Sequence, residues 1–353
     1  MTQAPLARQA LIPGADRTSS LIAQRLHAAL MLAVALLVLW PPMARTDPFP
    51  VEITHRFGTA SIPAKPRRIV SLSYIGHDFL LALGETPYAL RKWYGNDPYG
   101  VWPWGHAALG DARPVVMQGQ IDIERIAAME PDLITAQWSG ITKREYALLS
   151  RIAPTIAPRA EYGDFGSPWP EMLRTLGRAT GTLAKAESII TRIETRFAKI
   201  RAAHPAWSGA TGVMVWIGEI GACRESDIRG QFMQALGFHA PEALDRIAGT
   251  PIYARVPGED LAAIDVDALI WLDSATSVDT LARIPLRHTL RAHQQGREIY
   301  ADQMLASALS HSSPLSLDYA LDRLVPELEA AMDGTPATPV PSLARIGQLP
   351  GGH

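Results

Sequence analysis

The chain has 353 residues, room for two domains of ordinary size at ~150 residues each. Its composition is globular, 47% hydrophobic and 19% charged, and its net charge of −2 argues against nucleic acid or an anionic membrane surface as the main partner. A single cysteine, Cys223, excludes an internal disulfide and a cysteine-based metal site.

The first predicted element is a leader. Arg8, Arg17 and Arg25 precede AALMLAVALLVLW (28–40), an uncharged apolar run too short to span a bilayer comfortably. Basic flank and run length fit a secretory signal, so residues 1–44 are expected to direct export. No cysteine stands directly after the run, so a cysteine-linked lipid anchor is not expected.

The strand-like IVSLSY (69–74) then leads into HDFLLALG (77–84), a short helix closed by Gly84. An aromatic loop, RKWYGNDPYGVWPWG (91–105), follows. In DIERIAAMEPDLITAQW (122–138), Asp122 is a credible helix cap. Ile123, Ile126 and Ala127 share a face, Pro131 stops the helix, and DLITAQW reads as a strand.

Residues 181–204 carry apolar side chains at 183, 186, 189/190, 193, 197 and 200, the spacing of an amphipathic helix. It would run for ~36 Å at ~1.5 Å per residue, and Pro205 ends it. TGVMVWIG (211–218) opens a second strand series. PGEDLAAIDVDALIWLD (257–273) then repeats the earlier phrase without a gap: Glu259 matches Glu124, and Asp267 matches Asp132. LAAI reads as the helix and DALIWLD as the strand. The fold class is therefore α/β: one lobe over 52–168, a connecting helical segment over 169–205, and a similar lobe over 206–332. Residues 333–353, rich in Pro and Gly, read as a disordered tail.

Several segments together carry a family resemblance. They are His55-Arg-Phe-Gly58, Ile62-Pro63, Pro66-Arg67-Arg68-Ile69-Val70, the phrase at 122–134, the connecting helix, and GEDLAAIDVDALIWL (258–272). Over residues 52–332 the chain resembles the helical-backbone class of ABC-transporter substrate-binding proteins, which carry ferric siderophores, haem or cobalamin. It is most similar to the ferric-siderophore branch. The resemblance implies two Rossmann-like lobes bridged by a stiff helix, with ligand in the cleft between them. It implies a periplasmic monomer (tethered, if the leader stays uncleaved), no catalysis and no resident cofactor. The ligand would be an Fe(III)–siderophore complex; haem, cobalamin or a bare metal ion is the alternative. It also implies that Glu124 and Glu259, one on the outer surface of each lobe, dock onto a permease dimer in the inner membrane.

A siderophore already saturates its iron with oxygen ligands, so the protein must supply aromatic walls and guanidinium donors instead. Loop positions after strands offer both. From the first lobe come Arg91, Trp93, Tyr94 and Trp138; from the second, Trp216, Arg224, Tyr253 and Arg255. Trp102, Trp104 and Trp169 are further candidates, and each aromatic could instead be packed core. Arg67 and Arg68 precede a strand and read as surface residues. His77 and His311 are plausible cleft positions; a meeting of the two across the cleft would make haem or a bare metal ion credible. No nucleophile elbow or phosphate-binding loop is present. Cys223, beside Arg224 and Glu225, reads as an inert thiol near a strand end, with a reactive thiol as the alternative.

Overall fold

The computed structural model describes residues 48–273 and 278–348. The expected signal segment and the last residues of the expected tail lie outside the described residues.

The first lobe opens with an antiparallel hairpin, β1 (Val51–His55) and β2 (Gly58–Ile62). Val51, Ile53 and His55 turn inward while Glu52 and Thr54 face solvent, the period-2 pattern of a half-buried strand. There follow β3 (Ile69–Ser71), α1 (Gly76–Leu83), β4 (Ala89–Arg91), α2 (Pro103–Leu109), β5 (Val115–Met117), α3 (Ile123–Ala128), β6 (Leu133–Thr135), α4 (Lys143–Leu149) and β7 (Thr155–Ile156). The five strands after the hairpin are all parallel, in the order β5-β4-β3-β6-β7. The winding reverses between β3 and β6. In open parallel sheets the crevice outside the carboxyl ends at such a point is where ligands bind.

Two helices leave this lobe, α5 (Trp169–Ala179) and the long α6 (Leu183–Ala203). Gly177 lets them close on each other, since a Cβ there would stand 2.7 Å from that of Ala186. At ~1.5 Å per residue α6 runs for roughly 32 Å. Four of the expected apolar positions are buried, and they divide between two cores. Ala186 and Ile190 pack with Ile53, Phe79, Leu133 and Leu176. One turn on, Ile193 and Phe197 pack with Val213, Phe232 and Leu324. Leu183, the first of the series, is 39% exposed.

The second lobe comprises β8 (Gly212–Trp216), β9 (Gly221–Cys223), α7 (Ile228–Leu236), β10 (Tyr253–Arg255), β11 (Ala268–Leu272), α8 (Val278–Ala282), α9 (Arg291–Gln294), β12 (Glu298–Ala301), α10 (Gln303–His311), α11 (Ser316–Ala331) and α12 (Pro341–Arg345). Its sheet order is β10-β9-β8-β11-β12. β8, β11 and β12 are parallel, but β9 and β10 run antiparallel to their neighbours. The second lobe thus repeats the first on one side of β8 only.

The repeated phrase has a repeated structural task. Asp132, just before β6, accepts the backbone N–H groups of Arg67 and Arg68 at 2.7 and 2.8 Å. Asp267, just before β11, accepts the N–H and hydroxyl of Thr211 at 3.0 and 2.9 Å. Each carboxylate fastens the start of the strand beside its own. The helical halves differ. Asp122 caps α3 by accepting the N–H of Arg125, whereas the second copy forms one 3₁₀ turn, Ala262–Ile264, with Asp260 ahead of it accepting the Ala262 N–H at 3.1 Å. LAAI is too short to nucleate an α-helix. Glu124 sits in the first turn of α3, but Glu259, expected in an equivalent helical turn, lies in the non-helical turn ahead of the 3₁₀ segment, closed by the Asp260 N–H on the Pro257 carbonyl at 3.1 Å.

The expected disordered tail is ordered through residue 348. Val340 and Leu343 of α12 are 1% and 0% exposed, and Ile346 packs on the same core. Ser342 accepts the N–H of Tyr300 at 3.0 Å and donates its own N–H to Glu327 at 2.8 Å. The i, i+3 spacing of Val340, Leu343 and Ile346 behind a helix-starting proline was the local signal, masked by the surrounding Pro and Gly.

Candidate ligand cleft

Strand ends from both lobes converge on a cavity of about 360 Å³. The first lobe contributes Tyr74 after β3, Trp93 after β4, Trp138 after β6 and Phe165 in the loop before α5. The second contributes Trp216 and Glu219 around the β8–β9 turn, Gly221, Arg229 near the start of α7, and Ile252 and Tyr253 at β10. Tyr74 and Trp138 thus stand at the reversal point between β3 and β6.

The aromatic wall is a packed array. Trp93 meets Trp138 edge-on at 5.0 Å between ring centres, and Trp138 meets Phe165 at 4.9 Å, both geometries that aromatic pairs favour. Trp138 adopts a left-handed backbone conformation, φ +57°, unusual for so bulky a residue. Two bonds hold it there: its indole N–H donates to the Phe165 carbonyl at 2.7 Å, and its carbonyl accepts the Tyr74 N–H at 3.3 Å. Strain over-determined in this way is typical of ligand clamps.

Arg229 is the one cation in the wall among the described residues, and it is only 6% exposed. Its Nε and Nη2 donate to the two carboxylate oxygens of fully buried Asp227, at 2.6 and 2.7 Å. Nη1 donates to Ser310 Oγ at 3.3 Å, and the guanidinium carbon stands 5.2 Å from the Trp216 ring. Burial opposes the charge, but the Asp227 carboxylate outweighs it and holds the guanidinium protonated. Sequence reasoning chose Arg224 from this segment and missed Arg229.

Trp93, Trp138, Trp216 and Tyr253 line the cavity as expected from their strand-end positions; Arg91, Tyr94, Arg224 and Arg255 do not. Arg91 stands behind the wall, its guanidinium 4.2 Å from the Tyr74 ring centre and donating to the carbonyls of Gly119 and Ser139. Tyr94 packs edge-on beneath Trp93. Arg224 gathers the carbonyls of Leu244, Ile247 and Thr250, bracing a distant loop. Arg255 is exposed at the rim, 3.7 Å from the still more exposed Glu219. Of the further candidates, Trp102 and Trp104 stack on each other below the wall, and Trp169 packs against both lobe cores. Arg67 and Arg68 donate their backbone N–H groups to Asp132 at the surface. Glu124 and Glu259 are exposed, with no hydrogen-bond or ion-pair partner among the described residues.

His77 and His311 do meet, with ring centres 6.2 Å apart, but each is 1% exposed. They lie under the tryptophans, Trp104 and Trp93 standing 5.3 and 5.9 Å from His311. Beside them Asp78 accepts Trp104 Nε1 and the Ser313 hydroxyl, each at 2.7 Å, which ties the first lobe to the second. Among the described residues no group of three or more His, Cys, Asp and Glu is arranged to hold a metal ion. Burial pushes His311 down to about 4 and lowers His77 as well, so both are neutral near pH 7. Burial likewise pushes the Cys223 thiol up to about 12, the chemistry of an inert thiol.

A pH dependence of stability follows. In the unfolded chain each histidine charges near ~6.5; in the folded protein it charges lower. Stability is therefore complete above that value and is lost as pH falls from it toward 4, by up to ~3 kcal/mol for His311. Melting temperature should fall across this interval, and His311→Gln should flatten the slope. An unchanged slope would mean that His311 does not contribute.

A family model described as periplasmic binding protein matches residues 69–305. The chain is similar to the probable siderophore-binding lipoprotein YfiY of Bacillus subtilis (strain 168), at 28% identity over 197 residues. That match covers 54% of this chain and 57% of the relative, so the chain spans little more than half of the relative's length. Among solved structures, the periplasmic solute binding protein from Mycobacterium smegmatis is 32% identical, with a TM-score of 0.70 over 80% of this chain and 98% of that one. Streptococcus pneumoniae PiaA in complex with ferrichrome is 24% identical, with a TM-score of 0.68 over 81% and 99%, a likeness of fold.

Proposed function

The chain belongs to the periplasmic binding protein family, and from that premise we propose that its interlobe cleft captures a ferric siderophore for delivery to an ABC permease dimer in the inner membrane. The protein is then a binding component of iron uptake, acting as a monomer, and not an enzyme. The observation that carries the reading is the wall itself: six aromatic side chains from both lobes around about 360 Å³, with no histidine or cysteine among the lining residues. A chelate whose iron is already saturated needs packing surface and a few donors, which is what this wall offers. A bare metal ion would need ligands that the lining does not group together. The apolar run at 28–40 supports export.

Tryptophan-quenching titration is the test. Ferric siderophores should quench saturably and free iron should not. Trp216→Ala should weaken binding by ~10-fold or more, because a lost stacking wall removes ~1.5–3 kcal/mol of burial. Trp216 is half-buried at a strand end, so the melting temperature should hold. Tight haem binding with flat titrations for every ferric chelate would sink the reading.

A further inference from the structure

We propose that the cleft selects an uncharged ferric chelate of the tris-hydroxamate class over the anionic tris-catecholate and carboxylate classes. The inference rests on the siderophore reading above and deepens it. The observation is electrostatic. The charged side chains lining the cavity are Arg229 and Glu219, and each already faces an opposite charge.

Arg229 carries most weight because it is buried. Asp227 takes its Nε and one Nη2 hydrogen in a two-pronged contact, with the carboxylate wholly inside the protein. The pair presents no net charge to a ligand. A guanidinium has five N–H bonds; Asp227 takes two and Ser310 one. The remainder can donate to ligand oxygens as ordinary dipoles. At the rim, Glu219 and Arg255 are largely solvated, so their fields are screened.

The next layer also balances. Arg91 lies one ring behind the cavity, bound to carbonyls and not to a carboxylate. The Asp78 carboxylate lies below the same wall, accepting from Trp104 and Ser313. His77 and His311 are held neutral by burial.

Such a cleft treats the chelate classes differently. In a tris-hydroxamate, three singly charged groups cancel the charge of Fe(III), and the complex presents methylenes and weakly basic oxygens. These suit indole faces and a few N–H donors. In a tris-catecholate, six phenolate charges leave three net negative charges. Removing those from water against tryptophan and phenylalanine is costly unless several unpaired cations receive them, and this wall supplies none. Citrate-type complexes carry uncoordinated, ionised carboxylates and meet the same barrier.

The experiment is a quenching titration of the purified protein with three Fe(III) chelates: a neutral tris-hydroxamate, a tris-catecholate and a citrate complex. The hydroxamate should bind most tightly, by at least ~10-fold. Its Kd should move less than ~2-fold between about 50 and about 500 mM salt, because a neutral ligand gains little from long-range attraction. Glu219→Lys places a cation on the exposed rim, where folding tolerates it, and at about 50 mM salt, where screening is weak, should raise the catecholate-to-hydroxamate affinity ratio by ~3-fold. A catecholate or citrate complex binding tightest, a steep salt dependence for the hydroxamate, or an unmoved ratio in the variant would each overturn the proposal while leaving the siderophore reading intact. Binding of haem with no response to any of the three chelates would overturn that reading and the proposal with it.

Discussion

Reversing both outward glutamates together, Glu124→Arg with Glu259→Arg, should abolish iron uptake while ligand titrations superimpose on wild type. On the proposed delivery to a permease dimer, two acids at the same register of the repeated phrase, one in each lobe, would face its two equivalent subunits at once. Both are exposed, neither lines the cleft, and neither has a hydrogen-bond or ion-pair partner among the described residues. On that proposal, reversal would replace two attractions with two like-charge contacts, a change of up to several kcal/mol in total. One reversal alone should be milder, because the other lobe still docks. A favourable helix dipole, worth ~0.3–1 kcal/mol, is the simpler reason for an acid at Glu124. It explains Glu259 poorly, since that residue precedes one 3₁₀ turn and not an α-helix. Normal iron-dependent growth of the double variant, with no other binding protein in the cell, would rule the docking role out. Weakened ligand binding in the isolated variant would place these residues at the cleft.

Asp227→Ala should cost about 3–5 kcal/mol of stability, because it strands the buried guanidinium of Arg229 without its counter-charge. It also removes the cap of α7, since Asp227 accepts the Arg229 backbone N–H at 2.9 Å. Chemical denaturation measures the loss. Asp227→Ala combined with Arg229→Met should recover most of it, since an apolar pair of similar volume avoids burying either charge. A loss below ~1 kcal/mol for the single variant would mean that water from the cleft already solvates Arg229. The guanidinium would then be free to meet an anion, and the neutral character argued for the cleft would fail.

The lobes were legible because a repeated phrase betrays a repeated unit, and the shared aspartate explains why that phrase is constrained. Asp132 and Asp267 each lock a neighbouring strand, a task dependent on register and so visible in an ungapped match. The aromatic wall was legible for a similar reason: Trp93, Trp138, Trp216 and Tyr253 all follow or flank strands. The arginines were not. Arg224 and Arg229 occupy one short segment after β9, and nothing local separates them. Arg224 is drawn away by the 244–250 carbonyls, far along the chain; Arg229 is held by Asp227 two residues before it, and only the folded chain brings that pair to Ser310 and the cleft. Arg91 shows the same limit, since carbonyls at Gly119 and Ser139 hold it behind Tyr74. Phe165 joined the wall from a loop with no periodic pattern to mark it.

The division of α6 between two cores governs how the molecule comes apart. Ala186 and Ile190 belong to one lobe and Ile193 and Phe197 to the other, on adjoining turns of a single backbone. Fraying the helix for one lobe removes hydrogen bonds that the other needs, so neither has an independent melting equilibrium. Calorimetry should show one transition whose calorimetric and van't Hoff enthalpies agree. Two resolved transitions would mean that the helix stays with one lobe when the other melts. A destabilising substitution in the core of either lobe will therefore lower the one melting transition of the whole chain.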